Sequence, residues 1–96
     1  MINAVSDNPG RHRYELDVDG QVVFADYRRE GAVLTILHVE APPALRGTGA
    51  AGRFMQGMME KVRKEGLKVM PVCSYAVAWL GRHKEYQDLI ADSKTD

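Results

Sequence analysis

Six consecutive residues, Arg46-Gly47-Thr48-Gly49-Ala50-Ala51, combine a fixed cation, two glycines and a row of small side chains at what reads as the mouth of a helix. Glycine has no side chain, so the backbone can turn sharply and a ligand can approach it closely. The first amides of a helix have no intrahelical partner, and the helix dipole favours an anion beside them. Together these residues predict a cradle for a phosphate or diphosphate. Each charge-assisted hydrogen bond there contributes about 1.5–3 kcal/mol. The competing reading is a tight glycine cap beside a solvated Arg46. Two known phosphate loops do not fit. Gly52 is followed by Arg53-Phe54 rather than Lys-Ser or Lys-Thr, and the segment follows several strands instead of opening a βαβ unit.

Three further residues carry chemistry. His38 and Glu40 lie two apart on an expected strand and so share a face. The end of this strand is where catalysis could begin. The alternative makes His38 a hydrogen-bonded interior residue and Glu40 a solvated one. Cys73 stands just before Ser74, the expected N-cap of a helix. A thiol at a helix start can be partly thiolate and nucleophilic, although a free cysteine equally serves as a small buried hydrophobe. One cysteine and three dispersed histidines do not have ligand spacing, so no metal site is predicted.

The elements that position these residues follow from hydrophobic period. Residues 1–9 read as a mobile lead-in, closed by Asn8-Pro9-Gly10. Tyr14, Leu16 and Val18 alternate with Arg13, Glu15 and Asp17, which predicts a half-buried strand. Asp19-Gly20 is a two-residue hairpin signal, and Val22 to Tyr27 continue as the second strand. Beyond Glu30-Gly31 the run Ala32–Val39 is apolar on both faces, as a central strand covered on both sides would be. From Ala50 the apolar residues Ala50, Ala51, Phe54, Met55, Met58, Met59 and Val62 fall at helical spacing. Glu60 and Lys64 form a favourable i,i+4 pair, and Gly66 supplies a stop. Leu67–Val72 reads as a strand parallel to the third, with Pro71 weakening the pairing at its end. Tyr75–Gly81 and His83–Ile90 read as two short helices, with Trp79 as a core anchor or a wall of an acceptor pocket.

Ninety-six residues make one domain with a single core. Thirteen basic and thirteen acidic residues cancel, and no basic run occurs. Nothing therefore suggests nucleic acid or an anionic membrane surface as a partner. No apolar stretch approaches membrane-spanning length and no signal peptide is read, so the expected setting is the reducing cytoplasm.

The run His38-Val39-Glu40-Ala41-Pro42-Pro43-Ala44-Leu45-Arg46-Gly47, then Val69-Met70-Pro71-Val72-Cys73-Ser74-Tyr75, then His83-Lys84-Glu85-Tyr86 resembles the GNAT superfamily of N-acetyltransferases, in its small single-domain branch. Arg46–Ala51 matches that superfamily's Arg/Gln-x-x-Gly-x-Gly/Ala pattern. The resemblance covers most of residues 10–90. It implies an α+β fold, a minimal GNAT-like mixed and mostly antiparallel sheet packed with helices. It implies acetyl-coenzyme A as cosubstrate and an unidentified amine as acceptor. Arg46, Gly47, Thr48, Gly49, Ala50 and Ala51 would hold the pyrophosphate, and the strand end near Val39 the pantetheine amides. The catalytic candidates are Cys73, His38 and Glu40. A superfamily tyrosine that protonates the departing thiolate has no match, since its nearest register falls on Trp79 or Leu80, with Tyr75 and Tyr86 displaced. The extra helices and hairpin that build an acceptor site elsewhere in the superfamily are not read here. A coenzyme-A-binding module without chemistry of its own, and a plain structural domain, are the alternatives.

Overall fold

The computed structural model describes residues 4–91. The two-residue alternation around Tyr14 and Leu16 becomes strand β2, Arg13–Val18. Asp19 and Gly20 both take positive φ, 53° and 83°. That is a primed turn, whose twist suits a hairpin. The Gly20 amide closes it by donating to Asp17 Oδ1 at 2.8 Å. The chain returns as β3, Gln21–Glu30, and turns again into β4, Val33–Glu40. Helix α1, Ala50–Lys64, then crosses over to β5, Lys68–Pro71, which runs parallel to β4 from the pair Val33/Lys68 to the pair Ile36/Pro71.

The lead-in is not free over its whole length. Ser6–Asn8 form strand β1 at the sheet edge, antiparallel to β2, so the sheet order is β1-β2-β3-β4-β5. Ser-Asp-Asn has no apolar alternation to announce it. Side chains hold it instead: the Tyr27 hydroxyl donates to Asp7 at 2.6 Å, and Asn8 donates to Glu15 at 3.3 Å. The part of the expected mobile segment at residues 1–3 lies outside the described residues.

The inner face of the sheet presents Tyr14, Leu16, Val23, Ala25, Leu34, Ile36 and Val69 to Phe54, Met55, Met58, Met59 and Val62 of α1, all buried in one core. Burying such side chains contributes roughly 1.5–3 kcal/mol each. This outweighs the roughly 1 kcal/mol that Gly57 costs the helix. Gly57 has a packing reason: a Cβ there would stand 2.6 Å from Val5 Cγ2. Helix α1 ends as Gly66 implied. Gly66 takes φ 72°, its amide donates to Arg63, and the Leu67 amide donates to Val62, which is a Schellman closure. The expected Glu60–Lys64 pair is replaced: Glu60 accepts from the Tyr86 hydroxyl at 2.7 Å, and the i,i+4 pair is Lys61–Glu65 at 3.6 Å.

Helix α2 spans Ser74–Arg82, so Cys73, not Ser74, occupies the cap position, and Ser74 is the first helical residue. The terminal helix is a 3-10 segment, Lys84–Leu89. It packs on α1 and α2, in the same layer. The expectation that β4 is covered on both faces fails. Leu37 is 42% exposed, and His38 and Glu40 are exposed. The cause is a bulge: Asp26 pairs with His38 and Tyr27 with Ile36, leaving Leu37 unmatched. The extra residue interrupts the alternation.

Candidate functional site

The core of the candidate site is the bend before α1. A short 3-10 turn, Pro43–Leu45, delivers the chain to Arg46. Gly47 and Gly49 then take φ 81° and 85°, a left-handed backbone that side chains strongly disfavour. Thr48 stitches the bend from within, its hydroxyl donating to the Leu45 carbonyl at 2.5 Å and accepting from the Ala50 amide at 3.3 Å. Among the described residues, the amides of Gly47, Gly49, Ala51 and Gly52 donate to no protein acceptor. Four unpartnered N–H groups at the positive end of a fifteen-residue helix are what an anion needs.

Two cations flank them. Arg46 is exposed and anchored by its Nε, which donates to the Ala41 carbonyl at 3.2 Å. Arg53, exposed on α1, bends back with Nη1 at 3.5 Å from the Thr48 carbonyl. A Cβ on Gly49 would lie 3.6 Å from the same Nη1. One helical turn separates 49 from 53, the clue by which Arg53 is legible.

Beside the bend the sheet forks. β4 and β5 pair only as far as Ile36/Pro71, whereas β4 runs on to Glu40 with β3 as its partner, Val39 opposite Ala25. Both the Val72 and the Cys73 amides donate to the Ile36 carbonyl, at 3.0 and 3.1 Å. That one carbonyl gathers β5 at the fork and sets the half-buried Cys73 at the start of α2. Val39 is half-buried against the core on the far side of the gap.

His38 is exposed, so the interior reading of it does not hold. Its Nε2 lies 2.9 Å from Glu40 Oε1. An ionised carboxylate only accepts hydrogen bonds, so the neutral imidazole in this arrangement carries its proton on Nε2 and keeps the Nδ1 lone pair. Phe24 lies beside the ring with centroids 6.3 Å apart. Arg13 covers that phenyl at 3.9 Å while pairing with Asp26 at 3.3 Å.

Trp79 is 4% exposed and anchors the core. Its ring stacks near-parallel on His83 at 3.7 Å and on Tyr86 at 5.7 Å. Burial, then the hydrogen bond to Glu60, pushes the Tyr86 hydroxyl up to about 12. Leu80 is buried too. Tyr75, half-buried, is raised mainly by desolvation. No group of three or more His, Cys, Asp or Glu among the described residues is placed to hold a metal ion. No helix among them is long and apolar enough to cross a membrane.

Fold and site together define a small α+β domain with an anion-ready helix mouth at a strand fork. Residues 13–89 match the model of the GCN5-related N-acetyl-transferases, and the chain belongs to that family. It is also similar to the NMR solution structure of a GCN5-like protein from Staphylococcus aureus, at TM-score 0.70 and 20% identity, over 94% of this chain and 89% of the other. The mixed five-stranded sheet with its helices is thus the GNAT fold.

Proposed function

We propose that this chain binds acetyl-coenzyme A at the bend before α1 and transfers the acetyl group to an amine. The observation that carries the proposal is the set of four unpartnered amides at Gly47, Gly49, Ala51 and Gly52. The diphosphate would take these donors, with Arg46 and Arg53 supplying charge. The pantetheine arm would enter the fork toward Val39, which brings the thioester toward Cys73. In the first step the Cys73 thiol gives its proton to solvent as Sγ attacks the acetyl carbonyl, the new C–S bond forms, and the bond to the coenzyme sulfur breaks. The coenzyme leaves as its thiolate and takes a proton from solvent. In the second step the amine nitrogen attacks the acetyl-cysteine, and Cys73 departs as thiolate. The amine proton passes to His38 Nδ1, whose opposite nitrogen Glu40 holds.

Calorimetric titration with acetyl-coenzyme A tests binding, and absence of heat refutes it. Mass spectrometry of wild type and Cys73→Ala after incubation with acetyl-coenzyme A tests the covalent step. The expected result is one acetyl group on wild type and none on the variant. One observation favours a second reading, a coenzyme-binding module without transfer: Trp79 and Leu80, at the register of the superfamily's acid, are buried and carry no ionisable proton. Binding without acetylation of Cys73 or of any amine in a panel would select that reading.

A further inference from the structure

The indole nitrogen of Trp79 has no hydrogen-bond partner among the described residues, although the side chain is 96% removed from solvent by its 4% exposure. A buried indole N–H normally finds an acceptor. Among the described residues, no side-chain nitrogen or oxygen is both fully enclosed and unsatisfied. The Trp79 Nε1–H is therefore the part of a buried ring that still reaches the surface. It lies against the first turn of α1: Nε1 is the atom nearest to where a Cβ on Gly52 would stand, at 3.7 Å. Gly52 lies in the first turn of α1 and its own amide is one of the four without a partner.

We infer that Trp79 Nε1–H is a side-chain donor to the anionic ligand held at the first turn of α1, standing beside the backbone donors. The inference rests on the proposed coenzyme site and adds a residue to it. The donor is held in advance of binding. His83 and Tyr86 lie near-parallel to the indole, and His83 is itself fixed by its Nδ1 at 2.7 Å from the Trp79 carbonyl. A ring packed this way loses little rotational freedom when a ligand arrives.

The chain has one tryptophan, so an 15N-labelled sample gives one indole N–H resonance. Titration of the wild type with coenzyme A should move that resonance downfield in step with the calorimetric isotherm. Trp79→Phe, which keeps an aromatic ring and removes the donor, should weaken coenzyme A binding about tenfold. Heat of binding with an indole resonance that stays in place overturns this inference and leaves the coenzyme site standing. An absence of heat overturns both. If Trp79→Phe does not fold, the wild-type titration decides alone.

Discussion

Gly49 is the residue at which the cradle can be broken without touching a side chain. Its φ of 85° lies in the left-handed region, where a non-glycine residue costs roughly 1–2 kcal/mol. Space is not the difficulty, because the nearest atom to an added Cβ is Arg53 Nη1 at an ordinary 3.6 Å. Gly49→Ala therefore faces a choice between two losses. If the backbone keeps its course, the cost falls on folding, and the midpoint of thermal unfolding drops by about 4–16 °C for a domain of this size. If the bend relaxes, stability is spared and coenzyme A affinity falls by about 5–30-fold, since the ligand must restore the strained course. Gly49→Asn should lose less, because asparagine visits the left-handed region more readily. Gly49→Val should lose most, since a β-branched residue at positive φ is a genuine outlier; binding is expected to vanish with the far-ultraviolet circular dichroism still native. Gly81→Ala is the control. It sits in α2 at ordinary φ with nothing near its added Cβ, and should stabilise by up to about 1 kcal/mol. Thermal unfolding and calorimetry on the same samples read both quantities. Wild-type stability and affinity in Gly49→Val would refute the cradle.

Two predictions concern the body of the domain. Gly57→Ala should be close to neutral in the wild type, because the roughly 1 kcal/mol of helix propensity gained is offset by the 2.6 Å approach to Val5 Cγ2. In a Val5→Ala background the full gain should appear, and a double-mutant cycle by urea unfolding should return a coupling of about 1 kcal/mol. Equal effects in both backgrounds would mean that Val5 does not pack there. Burial, then the hydrogen bond to Asp7, pushes the Tyr27 hydroxyl up to about 12, and Tyr14 is raised still further by desolvation. Below pH 10 these phenols are neutral in folded and unfolded chains alike. Between about pH 10 and 12 only the unfolded chain ionises, so stability should fall across that window. Tyr27→Phe should flatten the fall in urea midpoints between about pH 10 and 12, and an unchanged slope would count against the buried phenol.

What could be read from the residues depended on how local the cause was. Strands β2 and β3 and their turn are visible because alternation and Asp19-Gly20 are local rules, and Gly66 marks its helix end for the same reason. Glycines leave a trace in any sequence, so the sharp bend at Gly47 and Gly49 is legible too. Strand β1 was not, because Ser6-Asp7-Asn8 is held by Tyr27 from two strands away. The coverage of β4 was misread because apolar residues on both faces signal burial, whereas a bulge at Leu37 shifts the faces partway along. Arg53 leaves a local trace, one helical turn after Gly49, but the Trp79 nitrogen depends on how α2 stands against the first turn of α1, which no window of sequence records.

The same distinction divides the site. The donors proposed for a diphosphate are main chain, the Arg46 and Arg53 side chains and a packed ring, all beside the start of α1, while the exposed His38–Glu40 pair stands on the opposite, bare face of β4. Cys73 lies between the two, its amide tied to the carbonyl at which the strands part. A coenzyme held from the helical side needs no side chain from the bare face, and an amine approaching the bare face needs none from the loop. On the proposed reading binding and transfer can be lost separately, and Cys73, whose amide converges with that of Val72 on the Ile36 carbonyl, is where the two would meet.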